Sequence, residues 1–356
     1  MLFYFEQLSE KEKKVYERIL ESYQNMDESS NLEEFEVSIQ DAIRIAEAVA
    51  ADHPEIFWIS NEHEYSSITK DGQKFVHSFF TKYWMTPKER VIRQRELEEK
   101  TRDFFKGFSS FMTEYEKAKF LYEKTAFLIT YDHEGLEQEK AGEQSFELEK
   151  QKYSLYGAIV KRCAVCAGYA KAYQYLMNRV GLYSVYLLGD CEDGERHAWN
   201  LIRLEGDYYH VDTTWASRDN VYSGLYVFYG YFCLKDEEIK KSRTISSQGV
   251  PACTSDRCNY FARQNLLFHT WNRESLEACI KWRFLHDPDR KVQLRFANGE
   301  LLQKAMEDLF TQGRIYRILE EAEIPCKTIW KCEEEKTSVL TIWREKPDGH
   351  TENSFL

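Results

Sequence analysis

Apolar and polar positions change period several times along the chain, and the changes outline its elements. Residues 7–25 read as a helix, with Ser9 as its N-cap and a carboxylate close behind. A second helix is predicted over roughly 32–51. After "DHPE" the pattern shifts. "IFWISNEHEYSSI" and "GQKFVHSFFTKYWM" are rich in aromatic and β-branched residues, with Asp71-Gly72 between them, which predicts a β-hairpin. Thr86, Pro87 and Glu89 then supply a cap, a first-turn proline and a capping box for a charged helix that runs to about 105. "TEYE" at 113–116 starts another helix, which ends near Tyr131-Asp132. Residues 133–150 are acidic and polar and read as an exposed loop.

The middle of the chain has a different texture. From Cys166, apolar or small residues recur at Ala170, Tyr173, Met177 and Val180, with Gly181 just beyond, so one helical face ends at a glycine. "LYSVYLL" reads as a strand and "GDCEDGE" as an acidic loop. "RHAWNLIRL" and "DYYHVDTTW" alternate on either side of Glu205-Gly206, which predicts an antiparallel hairpin. Beyond about 250 a small α/β unit is expected: a strand over 291–297, an amphipathic helix over 300–310, and a terminal hairpin from 326–332 and 337–345. Nothing in that unit assembles a recognisable site. The expected division is therefore 1–112, a helical region with a hairpin; 113–250, a central core; and 251–356, a C-terminal α/β domain.

Length and composition bound the function. A chain of 356 residues has room for two or three domains, and 43% hydrophobic with 15% aromatic residues is enough for a packed core. The net charge of −12 disfavours non-specific binding to nucleic acid or an anionic membrane. No apolar run approaches a membrane span. The N-terminal stretch lacks the basic, apolar and cleavage regions of a signal peptide. The expected location is cytoplasmic as the chain stands, or extracellular or cell-surface if an export signal has been removed. Nine cysteines, an odd and scattered set, fit reduced thiols better than a disulfide framework. Nothing in the pattern calls for a cofactor, and the oligomeric state is not legible.

Chemistry concentrates between 153 and 218. Cys166 falls in the first turn of its helix, where exposed N–H groups and the helix dipole favour a thiolate. Gly168 would allow another backbone or a substrate to come close. With a two- or four-residue loop at Glu205-Gly206, Trp199 faces Asp212 and His197 faces Thr214. His197 and Asp212 then share a face on a diagonal within reach of an imidazole and a carboxylate. A three-residue loop would put them on opposite faces. The set supplies a nucleophile, a base and an orienting carboxylate, with the backbone N–H of Cys166 as one oxyanion donor.

"VCAGYAKAY", "HAWNLI" and "YYHVDTTW", in that order, resemble the transglutaminase-like superfamily, whose papain-related core carries Cys, His and Asp on a helix and two adjacent strands. "DHPEIFWI", "SLYGAIVKRCAVCAGYA" and "VPACTSDRCNYF" resemble segments of bacterial multi-domain members. The core likeness covers about 113–250, and a weaker one most of 1–270. It implies an α+β fold with a papain-like core. It also implies Cys166 as nucleophile, His197 as base, Asp212 as third member, and amide chemistry on a peptide or protein through a thioester. Peptidase, deamidase and transglutaminase share that machinery, and the rival class is a catalytically silent binding module on the same scaffold. One departure matters. Papain-like enzymes place a Gln just upstream of the nucleophile, and animal transglutaminases use an upstream Trp. Residues 160–165 hold no Gln, and 86–198 no Trp. The hydroxyls of Tyr131 or Tyr156 are the candidate replacements, and Trp199 or Trp215 are candidates to line the substrate groove.

Other features have plainer expectations. Cys163 and Cys166 form C-x-x-C, but Cys253-x4-Cys258 is a poor second half of a zinc site, so no metal is expected and Cys163 reads as packing. Asn200 should face away from His197 in a structural role. His210 should be a neighbour of the site rather than a catalyst. Asp190, Glu192, Asp193 and Glu195 read as a solvated loop.

Overall fold

The computed structural model of the protein describes residues 2–143, 145–218, 226–286 and 291–345; the end of the expected C-terminal unit, 346–356, lies outside them. Helix and strand alternate in an α+β arrangement. α1 (Glu10–Asn25) begins at Ser9, whose hydroxyl accepts from the Glu12 N–H while the Glu12 carboxylate accepts from the Ser9 N–H. α2 (Ile39–Asp52) starts later than the periodicity predicts, because the hydroxyl of Ser38 caps it and residues 33–35 form a separate 3₁₀ turn. β1 (Ile59–Lys70) and β2 (Gln73–Tyr83) pair as the expected hairpin, with Asp71 and Gly72 both at positive φ. Capping boxes at Thr86/Glu89 and Thr113/Glu116 start α3 (Pro87–Phe104) and α4 (Glu114–Leu128).

Residues 133–150 are not a loop. β3 (Thr130–Tyr131) leads into α5 (His133–Ala141) and then α6 (Phe146–Lys152). Asp132 accepts from the Gly135 N–H, Gly142 ends α5 in the left-handed region, and Ser145 caps α6. These are local signals that the acidic composition obscured. The two helices are tied by Lys152, whose buried ammonium lies 2.7 Å from a Glu139 carboxylate oxygen and donates to the Gly135 carbonyl at 3.0 Å.

β3 pairs in parallel with β4 (Cys163–Ala164), which feeds α7 (Cys166–Arg179). Then come β5 (Tyr183–Cys191), β6 (Arg196–Leu204), β7 (Asp207–Val211) and β8 (Arg243–Ile245), an antiparallel sheet in the order β8-β5-β6-β7. Glu205 (φ 52°) and Gly206 (φ 93°) make a two-residue turn of type I′ form, which sets Leu204 against Asp207 and Asn200 against Val211. That register is the one that keeps His197 and Asp212 on one face.

The sheet is buried on both sides. Tyr186 and Ala198 pack with Ala167 and Ala170 of α7, and Asn200 donates to the Ala170 carbonyl at 2.9 Å. Val185, Leu187, Trp199 and Leu201 belong to a second core shared with the C-terminal unit. That unit holds α8 (Arg273–His286) and a sheet of β9 (Lys291–Phe296), β10 (Thr328–Glu334) and β11 (Val339–Glu345), joined by residues 267–268. β10 and β11 are the expected terminal hairpin.

Candidate active site

Cys166 is the first residue of α7, and Val165 before it offers no side-chain cap. The first-turn N–H groups have no partner inside a helix, so this end presents donors that its own sequence does not satisfy. Gly168 fixes how the preceding chain packs. A Cβ there would sit 2.7 Å from the Ala164 Cβ and 2.9 Å from the Lys152 carbonyl oxygen. That same carbonyl accepts from the Val165 N–H at 3.1 Å, holding the chain that leads into Cys166 in place.

The hairpin delivers the other two residues. Nε2 of His197 lies 2.7 Å from Oδ2 of Asp212, and both side chains are buried. A carboxylate only accepts, so the proton is on Nε2, and Nδ1 is left for the thiol of Cys166. Burial disfavours the imidazolium, but the charge and hydrogen bond of Asp212, with a further hydrogen bond and charge from Cys166, outweigh it. The pKa of His197 is pushed up to about 9. The Trp199 ring lies parallel to the imidazole, 6.1 Å away.

Sequence reasoning missed Arg243. This buried side chain reaches Asp212 from β8, with Nη2 2.5 Å from Oδ2 and Nη1 donating to the Ser242 hydroxyl at 2.7 Å. Its guanidinium also lies over the Tyr231 ring at 4.9 Å and the Trp215 ring at 5.8 Å. Burial opposes ionisation of Asp212, but Arg243, then His197 and the Thr214 N–H, hold its carboxyl below the usual range. One signal was present in the sequence. Gly189 lies opposite His197, and a Cβ there would fall 1.8 Å from the Thr244 carbonyl oxygen. The glycine is what lets β8 come this close.

The remaining candidates divide. Tyr131 is partly buried within electrostatic reach of Cys166 and Asp212; burial first, then the Cys166 charge, raises its hydroxyl pKa. Tyr156 is not at the site: its ring stacks on Phe57 and its hydroxyl donates to Glu96. Trp199 lines no groove, because it is fully buried and its indole N–H donates to Nδ1 of His210. It is a support beneath His197. Trp215 is 38% exposed and sits beside Arg243.

His210 is wired elsewhere. With Nδ1 accepting from Trp199, its Nε2–H donates to Asp236 at 2.9 Å. His210, Asp236 and Cys253 are the one group of metal-type donors that converge among the described residues. The Trp199 bond fixes the tautomer that turns a proton, not a lone pair, into that group. In the acidic loop, Glu192 pairs with Lys336, Glu195 with Lys140 and Asp190 with Arg196.

No family model matches the chain, and no curated protein matches it. Two solved structures resemble parts of it. One is described as a TGase: 15% identity, TM-score 0.31, covering 42% of this chain and 44% of that one. The other is a protein of Cytophaga hutchinsonii provisionally assigned as a cysteine protease: 13% identity, TM-score 0.26, covering 44% of this chain and 63% of that one. The chain thus spans about half the length of these structures, and at these scores the likeness decides neither fold nor chemistry.

Proposed function

We propose that the protein is a thiol enzyme acting on amide bonds of peptides or proteins, with Cys166 as nucleophile, His197 as acid and base, and Asp212 as the orienting carboxylate. One observation carries this reading: a buried His197–Asp212 pair at 2.7 Å, whose contact raises the imidazole pKa to about 9, beside a thiol on an uncapped helix start. An imidazolium there stabilises the thiolate. The thiolate attacks the amide carbonyl, and the oxyanion meets the first-turn N–H groups, that of Cys166 among them. Nδ1–H then protonates the departing ammonia or amine, leaving a thioester on Cys166. Water or an amine attacks the thioester, giving its proton back to His197. The same steps serve a peptidase, a deamidase and a transglutaminase, which differ only in what enters and leaves. The superfamily resemblance of the three motifs supports the reading independently.

The test is mass spectrometry of a peptide library, with an added primary amine, incubated with the protein and with Cys166→Ala. The proposal expects cleavage, a deamidation shift or amine incorporation that depends on Cys166. No Cys166-dependent product in any channel would overturn it in favour of a silent binding module.

A further inference from the structure

A cavity of about 310 Å³ lies between the end of α2 with the start of β1 and the α6–α7 junction. Its walls include Ile56 and Phe57 on one side and Tyr153, Ala167 and Lys171 on the other. It adjoins the nucleophile. Ala167 follows Cys166 in the chain, and Cys166 packs in one small cluster with Ala167, Tyr153 and Tyr186, all of which line the cavity.

The other charged groups on its wall each have an opposite partner. Lys150 pairs with Glu62 at 2.9 Å and Glu149 at 2.6 Å, and Glu139 with Lys152 at 2.7 Å. Lys171 is different. Its ammonium donates to the Tyr153 carbonyl at 3.1 Å and lies 5.8 Å from the Tyr186 ring centre. Among the described residues no carboxylate pairs with it. Burial pushes its pKa down to about 8, against the opposing pull of a charge on Cys166. An ammonium has three N–H donors, so two remain for a guest.

We propose that this cavity is the subsite for an anionic group of the substrate, and that Lys171 selects acyl donors carrying a carboxylate beside the reacting amide. The inference rests on the reading of Cys166 as the nucleophile. The apolar wall of Ile56, Phe57 and Ala167 takes an aliphatic stem, and the cation meets the acid at its end. That pattern fits an aspartate or glutamate side chain, or a free chain-terminal carboxylate, better than a neutral or basic group. A partly buried lysine that pairs with no carboxylate among the described residues gains a charge partner when one enters.

Alkylation of Cys166 in the full chain tests this without a known substrate. Iodoacetate carries a carboxylate and iodoacetamide does not; in both, the sulfur–carbon bond forms as the carbon–iodine bond breaks and iodide leaves. The ratio of the two rates at Cys166 is expected to fall about five- to tenfold in Lys171→Met and to hold in Lys171→Arg. A ratio that moves by less than about twofold in Lys171→Met would overturn the proposal, as would an equal slowing by both reagents. A Lys171→Gln variant provides the same reading should the methionine perturb folding, which labelling of the buried Cys233 and Cys258 reports. If neither reagent labels wild-type Cys166 faster than Cys332, the nucleophile itself is refuted and the subsite with it. If labelling is fast but the ratio ignores Lys171, only the subsite falls. Where the library yields products, donors with Glu beside the reacting residue should outrun their Gln counterparts in wild type, and that advantage should vanish in Lys171→Met.

Discussion

Oδ2 of Asp212 accepts from both His197 and Arg243, so one buried carboxylate is shared between an imidazole whose basicity depends on it and a guanidinium whose burial depends on it. Two outcomes follow for Asp212→Asn. The His197 titration, read by NMR of its ring protons, should move from about 9 toward the ordinary 6.5. Stability at neutral pH, read by denaturant unfolding, should drop by about 3–5 kcal/mol, because Arg243 is left as an unpaired buried charge. The native protein has its own pH signature. Its folded His197 pKa lies above the unfolded value of 6.5, so the pair contributes stability that is complete below pH 6.5 and lost as the pH rises through about 9. A pH series of unfolding curves should show that loss in wild type and not in His197→Ala. The positions of Cys166, His197 and Asp212 on a helix start and a hairpin were legible from a helical period and an even-length loop at Glu205-Gly206, and the structure makes that loop two residues. Arg243 was not. It enters from a strand 31 residues beyond Asp212, and nothing in "SRTISS" marks it as a partner.

Elements position these residues through a few close approaches. At Gly189 a Cβ would lie 1.8 Å from the Thr244 carbonyl oxygen and 2.7 Å from the Trp199 ring. Gly189→Ala should therefore push β8 off the sheet and lower stability by about 1–3 kcal/mol. At Gly299 nothing lies within 4 Å, so Gly299→Ala should stay within about 0.5 kcal/mol of wild type. Thermal unfolding of the pair checks both, and equal effects would contradict the packing described. Most elements were legible where capping boxes or a turn dipeptide marked them, as at Ser9, Thr86, Thr113 and Asp71-Gly72. The stretch 133–150 was not. Its caps at Asp132 and Ser145 are ordinary, but its apolar positions are too few to show a helical period, and the stabilising contact is a buried lysine, Lys152, that periodicity cannot reveal.

At the scale of the whole molecule, the three expected segments share two cores. One runs from Leu8 through α2, α4 and α7 to Cys258; the other joins Phe3, the Trp199 side of the sheet and the C-terminal unit to Ile342. The first core packs α7, which carries Cys166, and the second buries the Trp199 that lies parallel to the His197 ring. A fragment of residues 113–250 would lose partners on both sides of its sheet, and it should show no cooperative thermal transition by circular dichroism; a sharp one would contradict this packing. Whether Cys166 is an activated nucleophile is read from its rate of alkylation by iodoacetamide at pH 7, resolved by mass spectrometry against the exposed Cys332 of the same chain. Cys166 is expected to react about tenfold faster or more and to lose that advantage in His197→Ala. Equal rates at the two thiols, or an advantage that survives the loss of His197, would contradict it.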